Sequence, residues 1–101
     1  MAKKITWSEN ALQDRLQILD YWYKRIGNKK YSLYLDNCFR ETVNLIGQFP
    51  QIGRIHSEIS LRFMVRENYL IFYEEEKAMI SILGIFDSRR NPELVKDKFK
   101  L

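Results

Sequence analysis

The hydrophobic period of this chain changes once, near its middle, and that change limits what it can fold into. Before Pro50 apolar residues recur every three or four positions; from Leu61 they alternate. The longer period marks one face of a helix and the shorter one face of a strand. Helices followed by strands imply an α+β arrangement rather than alternating β-α-β units.

The first helical stripe is Leu12, Leu16, Leu19, Tyr23 and Ile26, widened by Ala11, Ile18 and Trp22. Ser8 fits its N-cap, Glu9 sits where the helix dipole favours an anion, and Gly27 stands where a left-handed residue ends the helix. A second helix starts near Lys29 or Lys30 with the stripe Tyr31, Leu35, Cys38, Thr42, Leu45 and Phe49. Tyr34, Phe39 and Ile46 flank it, and it ends around Gly47, before Pro50. So short a connection predicts an antiparallel helical hairpin. Each arm should run for about 18 residues, close to 27 Å.

Pro50-Gln51-Ile52-Gly53 reads as a loop. Leu61, Phe63 and Val65 then alternate with Arg62, Met64 and Arg66, and Glu67-Asn68 is a hairpin turn. Tyr69-Leu70-Ile71-Phe72-Tyr73 is unbroken apolar strand, as expected of burial on both faces. Glu74 to Lys77 is a polar turn, and Met79 to Phe86 is the third strand of a meander. The short strand around Ile5 and Trp7 must join the same sheet, because a lone strand leaves its backbone unpaired. Asn91-Pro92-Glu93 resembles a helix start with Pro at the first position, and Lys96 to Leu101 reads as a frayed tail. The expected architecture is one domain over 1–101, β-α-α-β-β-β. A helical hairpin packs on a mainly antiparallel four-stranded sheet, and the other sheet face is left for a partner or substrate.

Composition supplies the core this requires: 46% of residues are hydrophobic and 14% aromatic, against 30% charged, which argues against disorder. The lone Cys38 excludes an internal disulfide and a Cys-based zinc site, and it fits a reducing compartment. The stretch Met1 to Ile5 has no apolar leader segment, and no apolar run approaches the ~20 residues of a membrane helix. A cytoplasmic protein without a membrane partner is expected. The 17 Lys+Arg exceed the 13 Asp+Glu, for a net charge of +4, which suits an anionic partner. The first fifty residues hold eight basic against five acidic side chains and the remainder nine against eight, so the excess is not a stripe along the sheet half.

The chain carries no Gly-rich phosphate loop, metal-binding His motif or nucleophile elbow, and neither a cofactor nor a metal is expected. Arg62, Arg66, Arg89 and Arg90 form the first constellation. Outer strands of a meander lie about 10 Å apart, so arginines on one face could converge on a phosphate. Alternatively they are solvated charges, with Arg62 paired to a carboxylate such as Asp87. His56, in the loop Gly53 to Glu58, is of the residue type that serves as a general base, or is simply exposed. Tyr69 and Tyr73 share a strand face, as proton donors and stacking platforms or as core side chains with hydroxyls at the rim.

Several segments together resemble the RelE/ParE superfamily of toxins. They are Ile5-Thr6-Trp7-Ser8-Glu9-Asn10-Ala11, Ile18-Leu19-Asp20-Tyr21-Trp22, Phe49-Pro50-Gln51-Ile52-Gly53, Leu61-Arg62, Tyr69 to Tyr73, and Ile85-Phe86-Asp87-Ser88-Arg89-Arg90-Asn91-Pro92. They follow the superfamily's order across nearly the whole chain. The resemblance implies a growth-inhibiting toxin of a bacterial type II toxin–antitoxin module, neutralised by an antitoxin that wraps an extended, partly helical segment around it, with DNA met only through the antitoxin complex. It also implies one of two targets: the ribosome and its mRNA, cleaved by RelE-like members, or DNA gyrase, poisoned by ParE-like ones. Under the RelE reading Arg62 matches the sheet arginine on the scissile phosphate, Arg89 or Arg90 the second basic position, and His56 or Tyr69 the proton carrier. Asp87 and Ser88 stand where an aromatic or histidine is expected beyond the last strand, and the lysine-rich loop is reduced to Arg54 and His56. The likeness therefore leans to the ParE side, and whether the chain is an enzyme stays open. A third reading is a non-toxic binding protein on the same fold.

Overall fold

The computed structural model describes residues 3–99. The element order is β1 (Lys4–Trp7), α1 (Glu9–Ile26), α2 (Lys30–Gln48), β2 (Arg54–Ile55), β3 (Arg62–Arg66), β4 (Tyr69–Glu75), β5 (Met79–Asp87) and α3 (Leu94–Phe99). The sheet order is β1-β5-β4-β3-β2. β1 runs parallel to β5, and every other pair is antiparallel. The sheet thus has five strands rather than four. The added strand, β2, is two residues long and exists only through its ladder to Phe63 and Arg62.

Local chemistry sets the helix ends. The Ser8 hydroxyl accepts the Ala11 N–H at 3.1 Å, and the Ser8 N–H donates to the Ile82 carbonyl at 2.9 Å, so the cap that starts α1 also fixes it to β5. Gly27 closes α1 at φ 86°, a conformation open to glycine at no steric cost, and its N–H returns to the Tyr23 carbonyl. Between the arms Arg15 meets Asp36 at 2.6 Å, and the Ser32 hydroxyl donates to the Leu19 carbonyl at 2.7 Å.

The hairpin covers one sheet face. Leu35, Phe39, Val43 and Ile46 of α2 pack with Ala11 on Tyr69, Ile71, Tyr73, Ile80, Ile82 and Ile85. α1 contributes through Ala11, Ile18, Leu19 and Trp22. Four residues of the expected stripe point elsewhere: Leu12 is 44% exposed, Leu16 67%, Tyr23 43% and Ile26 45%. Ala11, Ile18 and Trp22 face the sheet because Ser8, hydrogen-bonded to the Ile82 and Leu83 carbonyls of β5, sets the rotation of the helix.

The second sheet face is not open. Ile59, Phe72, Phe86 and Val95 form a smaller core there with Leu61, Phe63, Leu94 and Phe99 packed around it. Its cover is the loop before β3 together with α3. The expectation of frayed chain from Lys96 is corrected over Lys96–Phe99, which is helical because Val95 and Phe99 bury against Phe72 and Phe86. The last two residues of that expected tail lie outside the described residues. No helix among the described residues is long and apolar enough to cross a membrane.

Candidate functional site

The arginines singled out from the sequence divide between the two ends of the sheet, with Arg62 at one and Arg66, paired to Glu41, and Arg89 at the other. Arg62 opens β3 opposite Tyr73, whereas Arg66, at the other end, faces Tyr69, which in turn faces Asp87. Four residues of strand separate the two rows, about 13 Å. The Arg62 guanidinium donates to the carbonyls of Gly53 at 2.8 Å and Gln51 at 3.3 Å, holding the loop that follows α2. Arg89 lies beyond the far end of β5, where its Nε and Nη2 grip Asp87 at 3.0 and 2.8 Å. Arg90 is exposed beside the Phe86 ring.

His56 sits over the opposite face of the sheet, its ring 6.0 Å from those of Phe63 and Phe72, and Nδ1 accepts the Glu58 N–H at 3.2 Å. Tyr69 is buried on the hairpin face, its hydroxyl accepting from the Trp22 indole at 2.8 Å. Tyr73 is buried too, with its hydroxyl donating to the Pro50 carbonyl and accepting the Gly53 N–H. Arg62 and Tyr73 thus hold one loop, while Arg89 and Tyr69 belong to a separate cluster.

That cluster gathers around Trp22, at the end of the sheet where the two long helices turn. Tyr21 and Tyr31 meet the indole edge-on, with ring centroids 5.2 and 4.9 Å away. The Arg89 guanidinium stands 5.8 Å from the indole centroid, within cation–π range, and its grip on Asp87 keeps it there. The same grip holds the Asp87 carboxyl below its ordinary pKa and raises the guanidinium's. Nearby the Tyr34 hydroxyl donates to Glu67 at 2.6 Å, and that bond pushes its pKa up to about 12. Burial, with Glu67 nearby, raises Tyr31 as well.

A groove of about 610 Å³ runs from this cluster along β5, between α1 and α3. It exists because β1 pairs β5 only as far as Ile82, leaving the next residues without a strand on that side. Asp14 of α1 takes the strand's place, accepting the Ile85 N–H at 3.0 Å and the Lys98 ammonium at 2.7 Å. Asp14 was not singled out in the sequence, where it reads as one of several polar residues between apolar ones. Its one signal is a position a single turn after Ala11, on the face toward the sheet.

The arrangement offers a cation–aromatic surface in which Tyr31 and Tyr34 are held neutral. Among the described residues no three His, Cys, Asp or Glu side chains gather to hold a metal ion.

Comparison with known proteins gives a consistent pattern. The family model described as the ParE toxin of the type II toxin–antitoxin system parDE matches residues 5–92. A chain from the solved structure of the chromosomal ParDE TA system from P. aeruginosa superposes with a TM-score of 0.73 at 21% identity. The match covers 85% of this chain and 96% of that one. At that identity the superposition establishes the fold. No curated protein matches the sequence.

Proposed function

This chain belongs to the ParE family of toxins of type II toxin–antitoxin systems, and we propose that it acts in the cytoplasm as a binding inhibitor of DNA gyrase. A cognate antitoxin is its partner. The observation that carries the proposal is the dispersal of the groups an RNA-cleaving site would need. Arg62 is engaged by loop carbonyls at one end of the sheet and Arg89 by Asp87 at the other; of the two proton carriers, His56 lies over the opposite face, and Tyr69, near Arg89, is buried with its hydroxyl on the Trp22 indole. Phosphoryl chemistry depends on charges and a proton carrier converging on one phosphate. A rigid folded surface that captures a conformation of its target needs no such convergence.

The test is a supercoiling and cleavage-complex assay with purified toxin and gyrase, run beside a reconstituted translation reaction. Inhibited supercoiling with accumulated cleaved DNA, and intact mRNA, is the expected result. Codon-phased mRNA cuts abolished by Arg62→Ala, with gyrase unaffected, would replace the proposal with the ribonuclease reading. Full activity of both targets would leave a non-toxic binding protein.

The antitoxin has a surface waiting for it on the hairpin. With the second sheet face covered, the exposed seam Leu12, Leu16, Tyr23 and Ile26 along α1 is the place for the apolar anchors of an antitoxin helix.

A further inference from the structure

The positive charge of this protein is gathered in one place. From Tyr21 to Leu35 the chain carries Lys24, Arg25, Lys29 and Lys30 and no acidic residue. Taking these four from the 17 Lys+Arg leaves thirteen, which the 13 Asp+Glu balance. The stretch from Tyr21 to Leu35 thus carries a charge of +4, and the remaining residues sum to zero, with Asp20 just outside the stretch.

All four side chains are exposed. Lys24 has one partner, Asp20, in a surface pair 73% and 58% exposed, which neutralises little in water. Arg25, Lys29 and Lys30 make no salt bridge among the described residues. Tyr21, Tyr23 and Tyr34 are exposed beside them. The patch continues across the sheet end, since Tyr21 lines the same groove as Arg90, whose guanidinium has no carboxylate partner among the described residues. From α1 and α2 to the loop after β5, cations and tyrosine hydroxyls thus cover one end of the molecule.

We propose that this end binds the phosphate backbone of duplex DNA. The inference rests on the gyrase reading, and it departs from the expectation that DNA is met only through the antitoxin complex. A toxin acting on a DNA-bound enzyme meets the duplex as well as the protein. Lysine, arginine and tyrosine are the side chains that contact phosphates without reading sequence. The surface favours DNA over an acidic peptide because Lys24 and Arg25 at the end of α1, Lys29 and Lys30 at the start of α2 and Arg90 after β5 spread their charge over one end of the molecule rather than along a single groove. The seam along α1, which has an apolar surface, lacks this charge over most of its length.

The test uses purified toxin, free of antitoxin and gyrase, and a labelled 20-base-pair duplex followed by fluorescence anisotropy. Four neutralised phosphates predict a slope of about −3.6 for log affinity against log salt. Replacing Lys24, Arg25, Lys29 and Lys30 together by Gln should lower affinity on the order of 10²- to 10³-fold at 0.1 M salt and flatten the slope. Replacing Lys4, Arg40, Arg54 and Lys77 by Gln removes the same charge elsewhere and should cost less than tenfold. Thermal melts of both variants check that they are folded. No anisotropy change at 50 mM salt, equal losses in the two variants, or tighter binding of an RNA duplex or an acidic peptide overturns the inference. Gyrase poisoned by a toxin that does not bind DNA would sink this inference and leave the proposed function standing. DNA binding with gyrase unaffected would do the reverse.

Discussion

The Trp22 indole donates to the Tyr69 hydroxyl at 2.8 Å, joining α1 to β4 across 47 residues of chain. The bond ties the turning end of the hairpin to the end of the sheet, and Arg89 rests on the same indole. Trp22→Phe removes the donor and part of the aromatic packing and should cost about 1–2 kcal/mol. Tyr69→Phe leaves the indole N–H of a half-buried residue within reach of water and should cost less. A double-mutant cycle by urea unfolding should return a coupling of about 1 kcal/mol; additive losses would mean that the bond contributes nothing.

Asp14 acts on two neighbours through one oxygen, and variants separate them. Asp14→Ala leaves the Ile85 N–H without an acceptor and should cost about 2–3 kcal/mol. Lys98→Met keeps that bond and breaks only the partly exposed ion pair, so its cost should stay below about 1 kcal/mol. Hydrogen exchange reads the difference directly. The Ile85 amide should lose protection in Asp14→Ala and keep it in Lys98→Met.

Asp87 gives the tip a dependence on acid. Its folded pKa lies below the ordinary 3.8, first because of the Arg89 side-chain hydrogen bond. The pair's contribution to stability is therefore present above that ordinary value and is lost as pH falls through the depressed folded one. Because the Arg89 side chain is half exposed, the effect is a fraction of a kcal/mol. Carboxyl-carbon NMR should show Asp87 titrating below the ordinary range, and Arg89→Gln should move it back up. An Asp87 titration unchanged by that substitution would rule out the pair as its cause.

Local signals in the sequence were reliable where one residue determines the backbone. Ser8 and Gly27 bound α1, and Glu67-Asn68 turns the β3–β4 hairpin, with Glu67 at φ 54°. Signals that needed a choice between surfaces failed. α1 has two adjacent apolar stripes, and periodicity alone does not say which meets the sheet. Asn91-Pro92-Glu93 marked the start of α3, but its continuation through Phe99 was hidden by its charged spelling, although the two-sided apolar strand Tyr69–Tyr73 already required a cover on its second face. β2 has no pattern of its own. The arginine constellation failed along the strand direction: spacing across a meander was legible, but the pairing register that puts Arg62 four residues from the row of Asp87 was not.

The exposed seam of α1 can be told apart from the core by asking a residue of each for two different losses. Leu16 is 67% exposed, whereas Leu35, on the facing helix, is 0% exposed within the main core. Leu35→Ala removes buried methyl groups and leaves a cavity, so it should cost about 2–5 kcal/mol in urea unfolding. It should weaken antitoxin binding only to the extent that the fold is lost. Leu16→Glu touches no core and should leave stability within about 0.5 kcal/mol. If the antitoxin helix lies on the seam, however, the new carboxylate would be buried against its apolar anchors. A buried unpaired charge costs several kcal/mol, so calorimetry should show affinity for the antitoxin falling by 10²-fold or more. Unchanged affinity in a folded Leu16→Glu variant would move the antitoxin off α1 and leave its apolar seam without a partner.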